Sequence, residues 1–224
     1  MFEDNHIIVV NKLASEIVQG DKTGDIPLSN TVKDYLKTKY DKPGEVYLGV
    51  VHRLDRPVSG AVIFARTSKA LSRLNNMLKE HKIEKTYWAV VKDPPPNESG
   101  RLTHFLHRNE KQNKSYVFDI DGANRQKAEL DYRQLAVSDN YCLLEVKLLT
   151  GRHHQIRAQL AFIGCPIKGD LKYGFPRSNP GGFIHLHARK ISFIHPVKEE
   201  LITLVASVPS DPVWDFFQNK VIVK

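Results

Sequence analysis

Only two cysteines, Cys142 and Cys165, occur in the 224 residues, and they have no CxxC spacing. A disulfide-stapled scaffold and a paired thiol centre are thereby excluded, and a reduced, cytosolic setting is the expectation. No apolar run reaches the length that a membrane helix needs. The opening MFEDNHIIVVNK puts Glu3 and Asp4 ahead of a short apolar stretch, unlike the basic start and longer apolar core of a secretory signal. Neither GxGxxG nor the phosphate-loop pattern GxxxxGKS/T is present, so no nucleotide cofactor is expected. HExxH, CxxC and EF-hand patterns are also missing, which argues against a metal in spite of ten histidines. His153 and His154 are adjacent and would point apart on a helix or strand, and His185 and His187 share a strand face with no carboxylate at a metal-ligand spacing. No segment repeats or is of low complexity.

The composition is that of an ordinary globular chain, 41% hydrophobic and 26% charged, enough to bury a sizeable core. Its formal net charge of +8 fits a polyanionic partner such as nucleic acid, although solubility alone also accounts for a modest basic excess. Two stretches, KEHKIEKTYWAVVK and HFLHRNEKQNK, interleave basic residues with aromatic or amide ones, as phosphate-tracking surfaces do.

The spacing of Ala70, Leu71, Leu74, Met77 and Leu78 predicts an amphipathic helix over 68–81, capped by Thr67 or Ser68. A strand over 87–91 ends in DPPPNESG, where three prolines and Gly100 predict a surface connection. Over 127–151, Ala128, Leu130 and Tyr132 alternate on one arm and Cys142, Leu144, Val146 and Leu148 on the other, with Ser138-Asp139-Asn140 as the turn: a hairpin in which Cys142 is a core residue. The helix that follows carries Ile156, Leu160 and Ile163, with Gly164 as its cap. A Gly/Pro-rich loop leads to strands around Ile184, Leu186 and Ala188, and Asp211-Pro212 opens a last helix. Together these elements predict one α+β domain over 1–224, sheet-dominated with helices packed on the sheet.

The most informative segment is VVHRLDRPVSGAVIFAR, where one carboxylate, Asp55, lies among His52, Arg53 and Arg56 between two apolar stretches. His52-Arg53-Leu54-Asp55 with Ser59-Gly60 resembles the H-R-L-D-x-x-T-S-G signature of the RluA-type pseudouridine synthases. Further motifs of that family follow in order. Lys85-Thr86-Tyr87-Trp88-Ala89 is similar to K-x-Y-x-A, and Gly151-Arg152-His153-His154-Gln155-Ile156-Arg157 to G-R-x-H-Q-I/L-R. Gly169-Asp170 with Tyr173-Gly174 is similar to G-D-x-x-Y-G, and Leu186-His187-Ala188 with Phe193 and His195-Pro196 to L-H-A…F-x-H-P. The chain departs from the pattern at Val58, where the family has Thr, at Ala158-Gln159-Leu160 in place of V-H-L, and at Leu13-Ala14-Ser15-Glu16 in place of a Pro-Ala-Gly turn.

The resemblance implies a mainly antiparallel mixed sheet with packed helices and a central RNA-binding cleft, the pseudouridine synthase fold, without the S4 RNA-binding domain that many members carry. It implies an isomerase that converts uridine to pseudouridine in a stem-loop of tRNA or 23S rRNA, without cofactor or metal. Asp55 is the implied nucleophile or base, with Arg157 as the ion pair that keeps it charged. Tyr87 is implied to stack on the target base, and Arg53 to enter the RNA helix where the uridine leaves. Arg152, His154 and Gln155 are candidates for RNA contact or for supporting hydrogen bonds. A monomer in the cytoplasm, with RNA as partner and no membrane association, is the accompanying expectation. Two other classes remain: a non-catalytic RNA-binding domain, which would not need Asp55, and a metal-free ribonuclease using His153 and His154 as acid and base.

Overall fold

The computed structural model describes residues 1–21 and 23–222. In chain order its elements are β1 (Phe2–Glu3), β2 (Ile7–Lys12), α1 (Leu28–Lys39), β3 (Gly49–Val50), β4 (Ser59–Ala65), α2 (Ser68–Lys79), β5 (Glu84–Val91), β6 (Ser99–Asn109), β7 (Lys114–Phe118), β8 (Gln126–Val137), β9 (Cys142–Leu148), α3 (Gln155–Phe162), β10 (Leu186–Ile194), β11 (Leu201–Val205) and α4 (Pro212–Ile222). The chain is α+β, as expected, and sorts into two compact units, each with its own core. The first holds residues 1–84 and 189–207, the second residues 85–188 and those from 208 onward, so a boundary falls inside β10.

In the first unit, β2 pairs antiparallel with β4 from Ile7↔Ala65 to Lys12↔Gly60, β1 extends the edge of β2, and β3 pairs with β4. β10 and β11 form a hairpin. Ile7, Val9, Ile63, Ile191 and Phe193 pack with Ala70 and Leu74 of α2. Complete burial of a side chain such as Leu74 stabilises by about 1.5–3 kcal/mol. Thr67 caps α2 by accepting from the Ala70 N–H at 3.1 Å. The helix stops short of the predicted end because His81 turns left-handed, φ 56°, and the Lys82 N–H closes on the Met77 carbonyl at 2.8 Å. Helix α1 had no counterpart in the sequence reading. It starts after Pro27 without a side-chain cap and buries a narrow stripe of Leu28, Val32 and Leu36, too sparse a pattern to stand out.

In the second unit the strand order is β5-β9-β8-β6-β7, with every neighbouring pair antiparallel. The predicted hairpin is β8–β9, closed where Ser138 and Tyr141 exchange hydrogen bonds. Cys142 is fully buried there, and burial pushes its thiol up to about 12, so it is a core residue and not a thiolate. The proline-rich connection is shorter than expected. Gly100 belongs to β6, where a Cβ would come within 3.1 Å of the Tyr132 hydroxyl; the missing side chain is what lets that ring lie against the strand. Asp211 caps α4 through the N–H groups of Val213 and Trp214, as Asp211-Pro212 predicts. Among the described residues, no helix is long and apolar enough to cross a membrane.

Candidate active site

Asp55 and Arg53 lie in the first unit; Tyr87, Arg152, His154, Gln155 and Arg157 lie in the second. Residues 51–55 leave the sheet as β3 ends, and a side chain takes over its ladder: the His52 Nε2 accepts from the Ile63 N–H at 3.2 Å. The backbone is thus released to form the loop that carries Asp55. A turn follows, in which the Val58 N–H donates to the Asp55 carbonyl at 3.0 Å. Asp55 is half-buried, and Arg53 is exposed.

A buried lysine pins this loop. The Lys12 ammonium, fully buried, donates to the carbonyls of Leu13 at 2.8 Å, Arg56 at 3.2 Å and Val58 at 2.7 Å. Burial pulls its pKa down to about 8, opposed by the charges of Glu16 and Asp55. Without it the Leu13 and Val58 carbonyls would lose a donor, and the Arg56 carbonyl one of two. The Ser15 N–H also donates to the Arg56 carbonyl, at 2.8 Å, and Ser15 adopts φ 77° where the family's turn has glycine. Val58, in place of the family's threonine, is 2% exposed and serves the loop through its backbone alone, so a hydroxyl is not needed to hold it. Arg56 turns outward to Asp25 at 2.6 Å.

In the second unit, Arg157 on α3 is 5% exposed and forms a bidentate pair with Asp170, itself 2% exposed: Nε to Oδ2 at 2.6 Å and Nη2 to Oδ1 at 2.9 Å. Two of the guanidinium's five donors are thereby fixed in a plane. The Tyr173 ring lies 5.2 Å from the same guanidinium. Asp170 can face Arg157 because Gly169 turns at φ +88°, in a space where a Cβ would sit 2.8 Å from the Phe183 carbonyl oxygen. Asp170 and Tyr173 are the G-D-x-x-Y-G residues, to which the sequence reading gave no role; that spacing was the available signal.

Tyr173 leads on to the two histidines. Its hydroxyl accepts from the Ser115 N–H at 2.9 Å and shares a hydrogen bond with the His154 Nδ1 at 3.0 Å. His154 is left-handed, φ 52°, and its ring stacks on that of His153 with centroids 3.8 Å apart. This corrects the expectation that adjacent histidines point apart, which holds only for helical or extended backbone. Burial, then the charges of Arg157 and His153, drive the His154 pKa down to about 2, so its ring is neutral. Gln155 clamps the same turn: its Oε1 accepts from the Thr150 hydroxyl at 2.8 Å and the Arg152 N–H at 2.9 Å, and its Nε2 donates to the Glu129 carbonyl at 3.0 Å. Arg152 is exposed, with its Nε donating to the Lys127 carbonyl at 3.0 Å. Tyr87, on β5 opposite Val146, is 7% exposed.

Each unit therefore presents functional-type side chains on a scaffold that fixes them, and the fold is one shared with solved pseudouridylate synthases. The structure of the human RNA pseudouridylate synthase domain containing 4 superposes with a TM-score of 0.80, covering 99% of this chain and 92% of that one at 22% identity. Residues 6–162 match the model of the RNA pseudouridylate synthase family, and the chain belongs to that family. Among curated relatives, it is 31% identical to a tRNA pseudouridine synthase C of Vibrio parahaemolyticus, over 96% of this chain and 91% of the relative. It is also 31% identical to a ribosomal large subunit pseudouridine synthase D of Zymomonas mobilis, over 94% of this chain and 69% of the relative. The chain spans about two thirds of the length of most of the curated relatives it matches, 65% in one case.

Proposed function

We propose that the protein isomerises a uridine to pseudouridine within a stem-loop of tRNA or 23S rRNA, with Asp55 as the reacting carboxylate. In that reaction the ribose C1′–N1 bond is replaced by C1′–C5, C5 gives up a proton, and N1 takes one up. Redox and hydrolysis play no part, so a positioned nucleophile or base suffices, acting on the sugar or on the base. The observation that carries the proposal is the Asp55 loop: inside the span matched by the family, a half-buried carboxylate sits on irregular backbone whose next turn is fixed by three hydrogen bonds from Lys12.

Arg157 is proposed as the cation that keeps Asp55 ionised, using donors beyond the two given to Asp170. Tyr87 is proposed to stack on the uracil and assist transfer of the C5 proton, and Arg53 to fill the RNA helix where the uridine is extruded. Arg152 is proposed to contact phosphate, whereas His154 and Gln155 are proposed to hold the turn that carries it. Assignment to the cytoplasm and action as a monomer, without a cofactor, complete the proposal. The ribonuclease reading loses its support, because acid–base work by a histidine pair needs a ring that takes up a proton near neutral pH, and His154 does not.

The test is pseudouridine mapping, by carbodiimide adduct and primer extension, on unmodified RNA treated with wild type and with Asp55→Asn. A new site with wild type and none with the variant, at unchanged RNA affinity, is expected. RNA binding with no new site for either protein would instead assign a non-catalytic RNA-binding domain.

A further inference from the structure

The second unit contains a cleft of about 440 Å³ between β6, the start of β8 and the turn before α3, within the range of about 300–1,000 Å³ typical of small-ligand sites. Its walls carry Arg108 and Arg152. Three other arginines of this unit meet carboxylates: Arg101 with Asp131 at 2.7 Å, Arg133 with Glu145 at 2.8 Å, Arg157 with Asp170 at 2.6 Å; Arg125 is instead held by the Ile120 carbonyl and the Phe118 ring. Neither cleft arginine forms such a pair among the described residues, and Glu110, the one acid on the wall, is bonded to neither. Arg152 is held by its Nε bond to the Lys127 carbonyl, so its terminal fork is presented at little further cost in side-chain freedom.

Two guanidinium groups left without carboxylates in a concavity call for an anion with several acceptor oxygens. The cleft is larger than a simple oxyanion, and Gln126 adds an exposed amide to the wall, which offers both a donor and an acceptor to the edge of a base. His107 lies beside them, its Nδ1 bonded to the Asn124 carbonyl at 3.1 Å. We infer that this cleft holds one nucleotide of the RNA away from the reacting uridine, its phosphodiester between Arg108 and Arg152 and its base edge at Gln126. The inference rests on RNA being the substrate and locates a contact that anchors it.

The test is the salt dependence of binding to a fluorescently labelled, unmodified RNA stem-loop, followed by anisotropy for wild type, Arg108→Gln, Arg108→Gln with Arg152→Gln, and Arg133→Gln as a carboxylate-paired control. Loss of one phosphate contact lowers the slope of log K against log salt by about 1. The expected slopes fall by about 1 for the single variant and about 2 for the double, with the control unchanged. Gln126→Ala should weaken binding at every salt concentration without altering the slope. Wild-type slope in Arg108→Gln, with circular dichroism showing a folded protein, overturns the inference. Inorganic phosphate and uridine monophosphate are titrated calorimetrically; saturable phosphate binding with an unaltered RNA slope would make the cleft a free-anion site and overturns it equally. If wild type binds with the expected slopes but forms no pseudouridine, the catalytic proposal fails and the cleft stands. If pseudouridine forms while the variants keep the wild-type slope, only the cleft fails.

Discussion

Asp170 holds Arg157 in a pair almost closed to water, and removing one partner of such a pair leaves a buried charge uncompensated. Asp170→Asn is expected to cost about 3–5 kcal/mol of stability in urea unfolding, and to lower pseudouridine formation even at temperatures where the variant is folded. A variant as stable as wild type would show that Arg157 is held by other groups. Ser15 offers the opposite case. At φ 77° it occupies a conformation that costs a non-glycine residue roughly 1–2 kcal/mol, partly offset by the freedom glycine loses on folding. Ser15→Gly should therefore raise the free energy of urea unfolding by up to about 1 kcal/mol, with a higher midpoint; a lower midpoint would mean that the serine side chain stabilises the turn.

At the scale of the elements, Glu3 fastens the C-terminal end of α1 to β1. It accepts from Tyr35 at 3.0 Å, Lys39 at 2.8 Å and Tyr40 at 2.6 Å, and pairs with Arg66 at 3.2 Å. Burial raises its pKa, but the hydrogen bonds from Lys39, Tyr40 and Tyr35 outweigh that and hold it at about 2. Because the folded value is below the ordinary 4.5, its contribution is complete above pH 4.5 and disappears as pH falls through about 2. Hydrogen exchange of the last turn of α1 should speed up in that window for wild type; Glu3→Gln should show fast exchange already at neutral pH. Elements with dense, regular apolar spacing, such as α2 and the β8–β9 hairpin, were legible in the sequence. Those made by tertiary contact were not: α1 depends on Glu3 and a three-residue stripe, and the β6–β7 hairpin is fixed from outside, where Lys172 donates to the carbonyls of Gln112 and Asn113 at 3.3 and 3.0 Å. At the site, the motifs singled out Asp55 and Arg157 as candidates. The partnership of Arg157 with Asp170, and the three carbonyls on Lys12, were hidden because hydrogen bonds to backbone and between distant segments leave no local pattern.

The whole molecule carries several histidines that are buried uncharged. His185 is held at about 4 by burial and the nearby Lys168, against the opposing pull of its bond to Asp211, and His154 lies at about 2. His104 and His195 are lowered as well, chiefly by burial. Their folded values fall below the ordinary 6.5, so the unfolded chain takes up protons first, and stability complete above pH 6.5 is lost as pH falls. Between pH 6 and 4.5, ahead of carboxylate titration, His154 and His185 should each contribute a slope of about 1.4 kcal/mol per pH unit. Urea unfolding across this range should show that slope reduced in His185→Gln; an unaltered slope would mean that His185 is charged in the folded protein. The division of the chain inside β10 has a further consequence, for synthesis. The core of the first unit needs Ile191 and Phe193, which leave the ribosome about a hundred residues after that unit's first segment ends. At about 5–20 residues per second, Ile7, Val9 and Ile63 emerge on the order of ten seconds before the strand that completes their core. The nascent chain therefore carries an unfinished apolar face through most of its translation, and the core of the first unit closes only when the synthesis of the chain is nearly complete.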